Sequence, residues 1–195
     1  MVARTGRIVV ALAALAGVLL AGLTPVPEVR AQSAGQIGAT FELTDHAGKP
    51  FQSSALAGQP YAIFFGFTHC PDVCPTTLLE MSNNLARLGP DGDRLKVVFV
   101  TVDPERDTPG QLGAYLASFD QRIIGLTGSE DKIAAVARGW NAFHDKIPEG
   151  DGRFEIVHSA YVYLMDTNNR LVGTMGFNES EAEQMAKLRR LVAGK

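Results

Sequence analysis

Pro60-Tyr61-Ala62-Ile63-Phe64-Phe65-Gly66-Phe67-Thr68-His69-Cys70-Pro71-Asp72-Val73-Cys74-Pro75 is the stretch from which the fold of this 195-residue chain is read. Its first half is a continuous apolar and aromatic run bounded by proline and glycine. Runs of that length form strands buried on both faces of a central sheet. Its second half turns polar and holds both cysteines of the chain, four positions apart. Beyond Pro75, Leu78, Leu79, Met81, Leu85 and Leu88 recur at helical spacing until Gly89-Pro90 stops them. The unit is therefore a buried strand, a cysteine-bearing loop and a helix.

The same pattern then returns. Leu95 to Val102 is a second buried strand, followed by the loop Asp103-Pro104-Glu105-Arg106-Asp107-Thr108-Pro109. Thr108 stands where a helix N-cap is expected and Pro109 where the first helical residue is expected. Leu112, Tyr115, Leu116 and Phe119 line one face of the helix this predicts. Arg122 to Leu126 is a short strand, and Glu130 to Trp140 a helix with Ile133, Val136, Ala137 and Trp140 facing inward. Phe154 to Met165 holds two strand-like pieces around His158. Leu171 to Met175 is a last strand after the turn Asp166 to Asn169, and Glu179 to Val192 a closing amphipathic helix. Upstream, Phe41 to Leu43 runs into the turn Asp45-His46-Ala47-Gly48 as a strand entering a hairpin. This order predicts an α/β protein with a thioredoxin-like fold, a central mixed β-sheet flanked by helices. The crossover rule makes the two large strands parallel neighbours. Their C-terminal ends then carry the cysteine motif and the Asp103 loop side by side, where open α/β sheets bind ligands.

The N-terminus is of another kind. Arg4 and Arg7 precede an uncharged, almost wholly apolar run from Ile8 to Leu23, ended by Pro25 and Pro27. Val29-Arg30-Ala31 puts small residues where a signal peptidase cuts, before Gln32. The run lies at the short end of the roughly 20 residues a membrane span needs. Residues 1–31 are thus expected to be a signal peptide or a retained N-terminal anchor, residues 32–39 a flexible leader and residues 40–195 one domain. No cysteine follows the run to carry a lipid. Export to the periplasm or the outer face of the inner membrane follows either way, with membrane attachment only through this segment. Residues 32–195 keep 15 basic and 20 acidic side chains, a net charge of −5, which excludes nucleic acid as a partner class.

Spending the only two thiols on one motif points to chemistry, since a scaffold disulfide ties distant segments. At a spacing of four, Cys70 and Cys74 lie roughly 6 Å apart along a helix axis. They can close on one metal ion or approach disulfide reach. Cys70 is expected in the loop and Cys74 in the first helical turn, where free N–H groups and the helix dipole favour thiolate. Redox motifs of the thioredoxin kind put two residues between their cysteines, whereas three stand here. His158, directly before the strand Tyr161 to Leu164, is the third candidate. Two thiolates and an imidazole form a soft set suited to copper(I), and to copper(II) with an added ligand. Zinc would use the same donors but wants a fourth. His69 is read as local support, His46 and His144 as solvated. Asp103, Glu105, Arg106 and Asp107 read as a docking face or as groups that support the site from behind its ligands, and equally as a capped helix start with surface ion pairs; Glu105 takes the structural reading and Asp103 stays open.

The cysteine motif from Gly66 to Pro75, Val102 to Pro109, Gly125-Leu126-Thr127-Gly128 and His158-Ser159-Ala160-Tyr161-Val162-Tyr163-Leu164 together resemble the SCO/SenC family, in order and spacing, over nearly all of residues 40–192. The resemblance implies a thioredoxin fold in an exported, often membrane-anchored domain. It also implies copper delivery to, or thiol reduction at, the binuclear copper centre of cytochrome c oxidase. Its copper-bearing subunit would be the partner, with other copper chaperones or thiol reductants upstream. By motif position Cys70, Cys74 and His158 are the copper ligands. A copper chaperone of this kind is not a turnover enzyme. On the alternative reading Cys70 and Cys74 are redox-active thiols of a thiol-disulfide reductase. Many members carry an acidic residue immediately before the histidine, where Val157 stands here.

Overall fold

The computed structural model describes residues 37–194. The segment read as a signal or anchor, and most of the leader, lie outside the described residues. No helix among the described residues is long and apolar enough to cross a membrane.

Strand β3 (Tyr61–Gly66) is buried at all six positions, as its unbroken apolar run requires. It pairs in parallel with β4 (Lys96–Thr101), which pairs in parallel with β5 (Ile123–Thr127). The hairpin β1 (Glu42–Asp45) and β2 (Pro50–Gln52) adds to β5 in antiparallel sense. On the other side β8 (Tyr161–Met165) runs antiparallel to β3, and β9 (Leu171–Gly176) to β8. The result is one seven-stranded mixed sheet, ordered β2-β1-β5-β4-β3-β8-β9. The helices are α1 (Val73–Leu88), α2 (Pro109–Leu116), α3 (Glu130–Gly139) and α4 (Glu181–Val192).

Capping residues start three of these helices, and the cap at Thr108 falls where the sequence puts it. The Thr108 hydroxyl accepts from the Gln111 N–H, and Ser129 from the Lys132 N–H. Ser180 and Glu183 form a reciprocal capping box at α4. Alternate residues of β3 serve opposite faces of the sheet. Tyr61 and Phe65 pack on Trp140, which also meets Phe41 and Tyr163. Phe64 stacks on Phe99 across the other face, and Phe99 meets Tyr115 of α2. Met81, Met185, Met165 and Met175 are buried in helices and strands as their positions predict.

Four local readings change. Phe119 lies beyond the end of α2, and Leu79 faces outward, 55% exposed, although its spacing fits the apolar stripe. His144 is not in a loop: it opens β6 (His144–Gly150), which pairs only with β7 (Arg153–His158). This strand was hidden because His-Asp-Lys-Ile-Pro-Glu-Gly has no buried face and so no alternation. His46 is half-buried, and its Nδ1 accepts from the Gly125 N–H at 3.0 Å, fixing the hairpin turn against β5.

Gly66 closes β3 for a steric reason. A Cβ there would lie 2.6 Å from the Cys74 sulfur, 2.8 Å from the Phe99 ring and 3.1 Å from the Phe64 ring. Only glycine lets the strand end touch α1 closely enough to bury that sulfur. Gly66→Ala should therefore cost about 1–3 kcal/mol, the range for overpacking a filled core. It should also raise the reactivity of Cys74 toward thiol reagents. Urea unfolding and thiol titration measure both, and wild-type values would contradict the steric argument.

Candidate metal centre

The two βα loops at the C-terminal end of the sheet meet through one side chain. Asp107 is completely buried. Its carboxyl accepts from the Thr68 N–H at 2.9 Å, the Thr68 hydroxyl at 2.5 Å and the Thr101 hydroxyl at 2.6 Å. Three donors satisfy the acceptor capacity that burial would otherwise leave unmet. The tie holds the start of the cysteine loop against the Asp103 loop. Asp103 is also fully buried, and one of its oxygens accepts from Arg106 Nε. These two acids are internal braces, which rules out both the docking face and the surface ion pairs among the readings left open for them. Glu105 is exposed and pairs with Lys146 at 3.4 Å.

Cys70 lies half-buried in the loop and Cys74 wholly buried in the first turn of α1, as the spacing predicts. The Cys74 N–H points at the Cys70 sulfur, 3.5 Å away. His158, the last residue of β7, brings Nε2 to 3.4 Å from the Cys74 sulfur. Its Nδ1 lies 3.0 Å from the Ser159 carbonyl oxygen, which has nothing to donate. Nδ1 therefore carries the proton, and the Nε2 lone pair faces the sulfur. Phe64 and Phe67 meet the imidazole at ring separations of 6.1 and 5.6 Å and fix its plane.

The two sulfurs and Nε2 lie within 4.8 Å of one another. This is close enough to serve one ion, given metal–sulfur and metal–nitrogen bonds of roughly 2.3 and 2.0 Å. A backbone carbonyl that fixes a histidine through its other nitrogen is the usual outer partner of a metal ligand. Two sulfurs and one imidazole suit a soft ion, and among the described residues no carboxylate joins them. His69, Asp103 and Asp107 also bring ligand atoms within 4.8 Å. Those acids already hold three hydroxyl or amide donors and the Arg106 guanidinium, so that group is structural.

The thiols differ in acidity. Donation from the Cys74 thiol, with help from the N–H groups of Cys74 and Asp72, draws the Cys70 thiol down to about 4. Cys74 keeps the shared proton: its bond to Cys70, with burial second, pushes its thiol up. Cys70 faces a cleft of about 480 Å³ whose walls include Phe67, Arg106, Phe154, Val157 and His158. The cleft was not visible in the sequence, because Arg106 and Phe154 reach it from separate elements.

A thioredoxin-like domain with a two-cysteine, one-histidine site is thus the class defined by fold and geometry. The sequence model of the family described as SCO1/SenC matches residues 29–193, and the chain belongs to that family. An SCO2-like protein of Rickettsia conorii is 38% identical over 156 residues, 79% of this chain and 76% of that protein. The copper-bound structure of ScoI from Bradyrhizobium japonicum superposes with a TM-score of 0.74 at 43% identity, covering 80% of this chain and 99% of that one. Copper-bound yeast Sco1 gives 0.75 at 32% identity, covering 82% and 90%.

The acidity difference predicts selective labelling of the reduced, metal-free protein. Cys70 should alkylate at pH 6 with a rate that falls only as the pH drops through about 4. Cys74 should stay unmodified until the protein unfolds. Mass mapping after iodoacetamide treatment reads this directly, and equal labelling of both thiols would contradict it.

Proposed function

We propose that this protein is an exported copper carrier that loads the binuclear copper centre of cytochrome c oxidase. Copper is its cargo, held by Cys70, Cys74 and His158. The observation that carries this reading is the convergence of those three donors, with the imidazole already fixed in the tautomer that offers Nε2. Membership of the SCO1/SenC family supports the partner class that the sequence resemblance implies. Half-exposed Cys70 is the ligand an incoming thiol reaches first from the cleft. Ligand exchange then proceeds sulfur by sulfur, from this site to the copper-bearing subunit's cysteines. Residues 1–31 place the domain outside the cytoplasm as a signal or anchor.

A second reading has its own observation, the contact between a half-exposed thiol facing the cleft and a buried one. As a reductase, the Cys70 thiolate would attack a partner disulfide, forming a mixed disulfide and releasing one partner thiolate. Cys74 would lose its proton and attack the Cys70 sulfur, releasing the second partner thiolate. The partner would gain two electrons and Cys70–Cys74 become a disulfide, to be reduced again by an exported dithiol.

An anaerobic copper(I) titration of the reduced protein against a competing chelator separates the two. One-to-one binding should be tight, lost in Cys70→Ser and Cys74→Ser, and weaker by at least about tenfold to a hundredfold in His158→Ala, since removing a ligand costs no less than removing a ligand's outer partner. Wild-type affinity in either serine variant would overturn the carrier reading. Affinity indifferent to His158, with disulfide exchange intact, would favour the reductase.

A further inference from the structure

One of the three donors comes from outside the main sheet. Strands β6 and β7 pair only with each other, from His144 opposite His158 to Gly150 opposite Arg153. Ile156 is their only buried residue. A two-stranded ladder with so little buried surface is marginal in water and needs support from elsewhere. The structure shows what supplies it. The Phe154 ring on β7 lies under the Arg106 guanidinium at 4.6 Å and the Lys146 ammonium at 5.1 Å. Arg106 is rooted by buried Asp103 and also approaches the Phe67 ring at 6.0 Å. Lys146, on β6, bonds Glu130 at the start of α3 at 2.9 Å and Glu105 at 3.4 Å. Each cation thus spans from the hairpin to the body of the domain, and both meet at one aromatic ring four residues before His158.

We propose that Arg106 and Lys146 are positioning residues that clamp the β6–β7 hairpin to the Asp103 loop and α3, and so hold His158 at the two thiols. The inference rests on His158 being a copper ligand. An unclamped hairpin presents His158 correctly for only part of the time, and apparent affinity falls by that fraction. The bonds of Lys146 are partly solvent-exposed, so salt weakens them. Arg106 lines the cleft together with Cys70 and His158, so a partner entering the cleft meets the clamp and the copper ligands together. Opening the clamp withdraws one ligand of three and leaves the thiols to exchange.

The test compares the wild-type protein with Lys146→Met, which keeps the apolar stem and removes the charge. Arg106→Lys keeps the charge but loses the planar stacking group. His158→Ala and the double variant Lys146→Met/His158→Ala complete the set. Copper(I) dissociation into a chelator should speed up about fivefold to tenfold in each clamp variant. Lys146→Met should add nothing once His158 is gone, since the two act through one element. Raising potassium sulfate should speed release from wild type and leave Lys146→Met unchanged. In the copper-free protein, the His158 ring signals in ¹⁵N-histidine NMR should move toward those of an unconstrained imidazole in both clamp variants. Unmoved ring signals, or a Lys146→Met effect equally large without His158, would overturn the clamp. Moved ring signals with copper release indifferent to His158→Ala would uphold the clamp's hold on the ring and overturn its role in copper binding, and the ligand reading with it.

Discussion

The carboxyl group of Asp107 is the junction on which the site depends. A sheet of apolar strands delivers two loops to the same edge, and beyond buried Phe67 and Val102 a polar tie joins them. Asp107 makes it by accepting from Thr68 in one loop and Thr101 at the start of the other. A carboxyl with no solvent contact is tolerable only because donors meet both of its oxygens, and bonds of this type are worth about 1.5–3 kcal/mol each when the acceptor is charged. The loop that begins at Thr68 therefore reaches Cys70 with little freedom left. The thiol pair is built on a polar brace, not on its own spacing alone.

From that brace follows the difference between the two sulfurs. Cys74 is pressed into the floor made by Gly66, Phe64 and Phe99, where a charge would be poorly solvated. Cys70 stands at the cleft with N–H and S–H donors aimed at it. One thiolate and one thiol in contact are an arrangement from which either a metal or a disulfide can form. Acidity at Cys70 serves ligand and nucleophile alike. His158 is what separates the roles, because an imidazole lone pair held at 3.4 Å from the inner sulfur has a place in metal binding and none required by disulfide exchange.

The fold was legible where burial leaves a periodic trace. The apolar runs of β3 and β4, the cap at Thr108 and the turn at Asp45 all fell where the sequence put them, and Cys70, Cys74 and His158 converge as their positions relative to those elements imply. What stayed hidden has physical causes. An aspartate reads as a surface residue unless its donors are known, and those of Asp107 lie up to 39 positions away. Strand β6 has no apolar face to alternate. Gln184 and Asn84 are buried within helical stripes, bonded to each other at 2.8 Å across α1 and α4, a pairing 100 positions apart. Val157, the noted departure before His158, is exposed and faces the cleft beside the thiols, so its effect falls on what docks there more than on the ligand set.

A carrier faces a demand that a permanent metal site does not: it must hold its ion and then yield it. Placing all three ligands in the rigid core would meet only the first half. Here the Cys74 sulfur is buried in the core at a helix start, and Cys70 lies half-buried in the loop that Asp107 braces. The nitrogen arrives instead on a peripheral hairpin secured by two cations and one aromatic ring. On the carrier reading, the ligand that arrives on the hairpin would be the one whose departure leaves two thiolates, a soft pair open to an incoming third sulfur. On that reading, strength of attachment to the fold would set an order of release, with the imidazole first and the buried sulfur of Cys74 last.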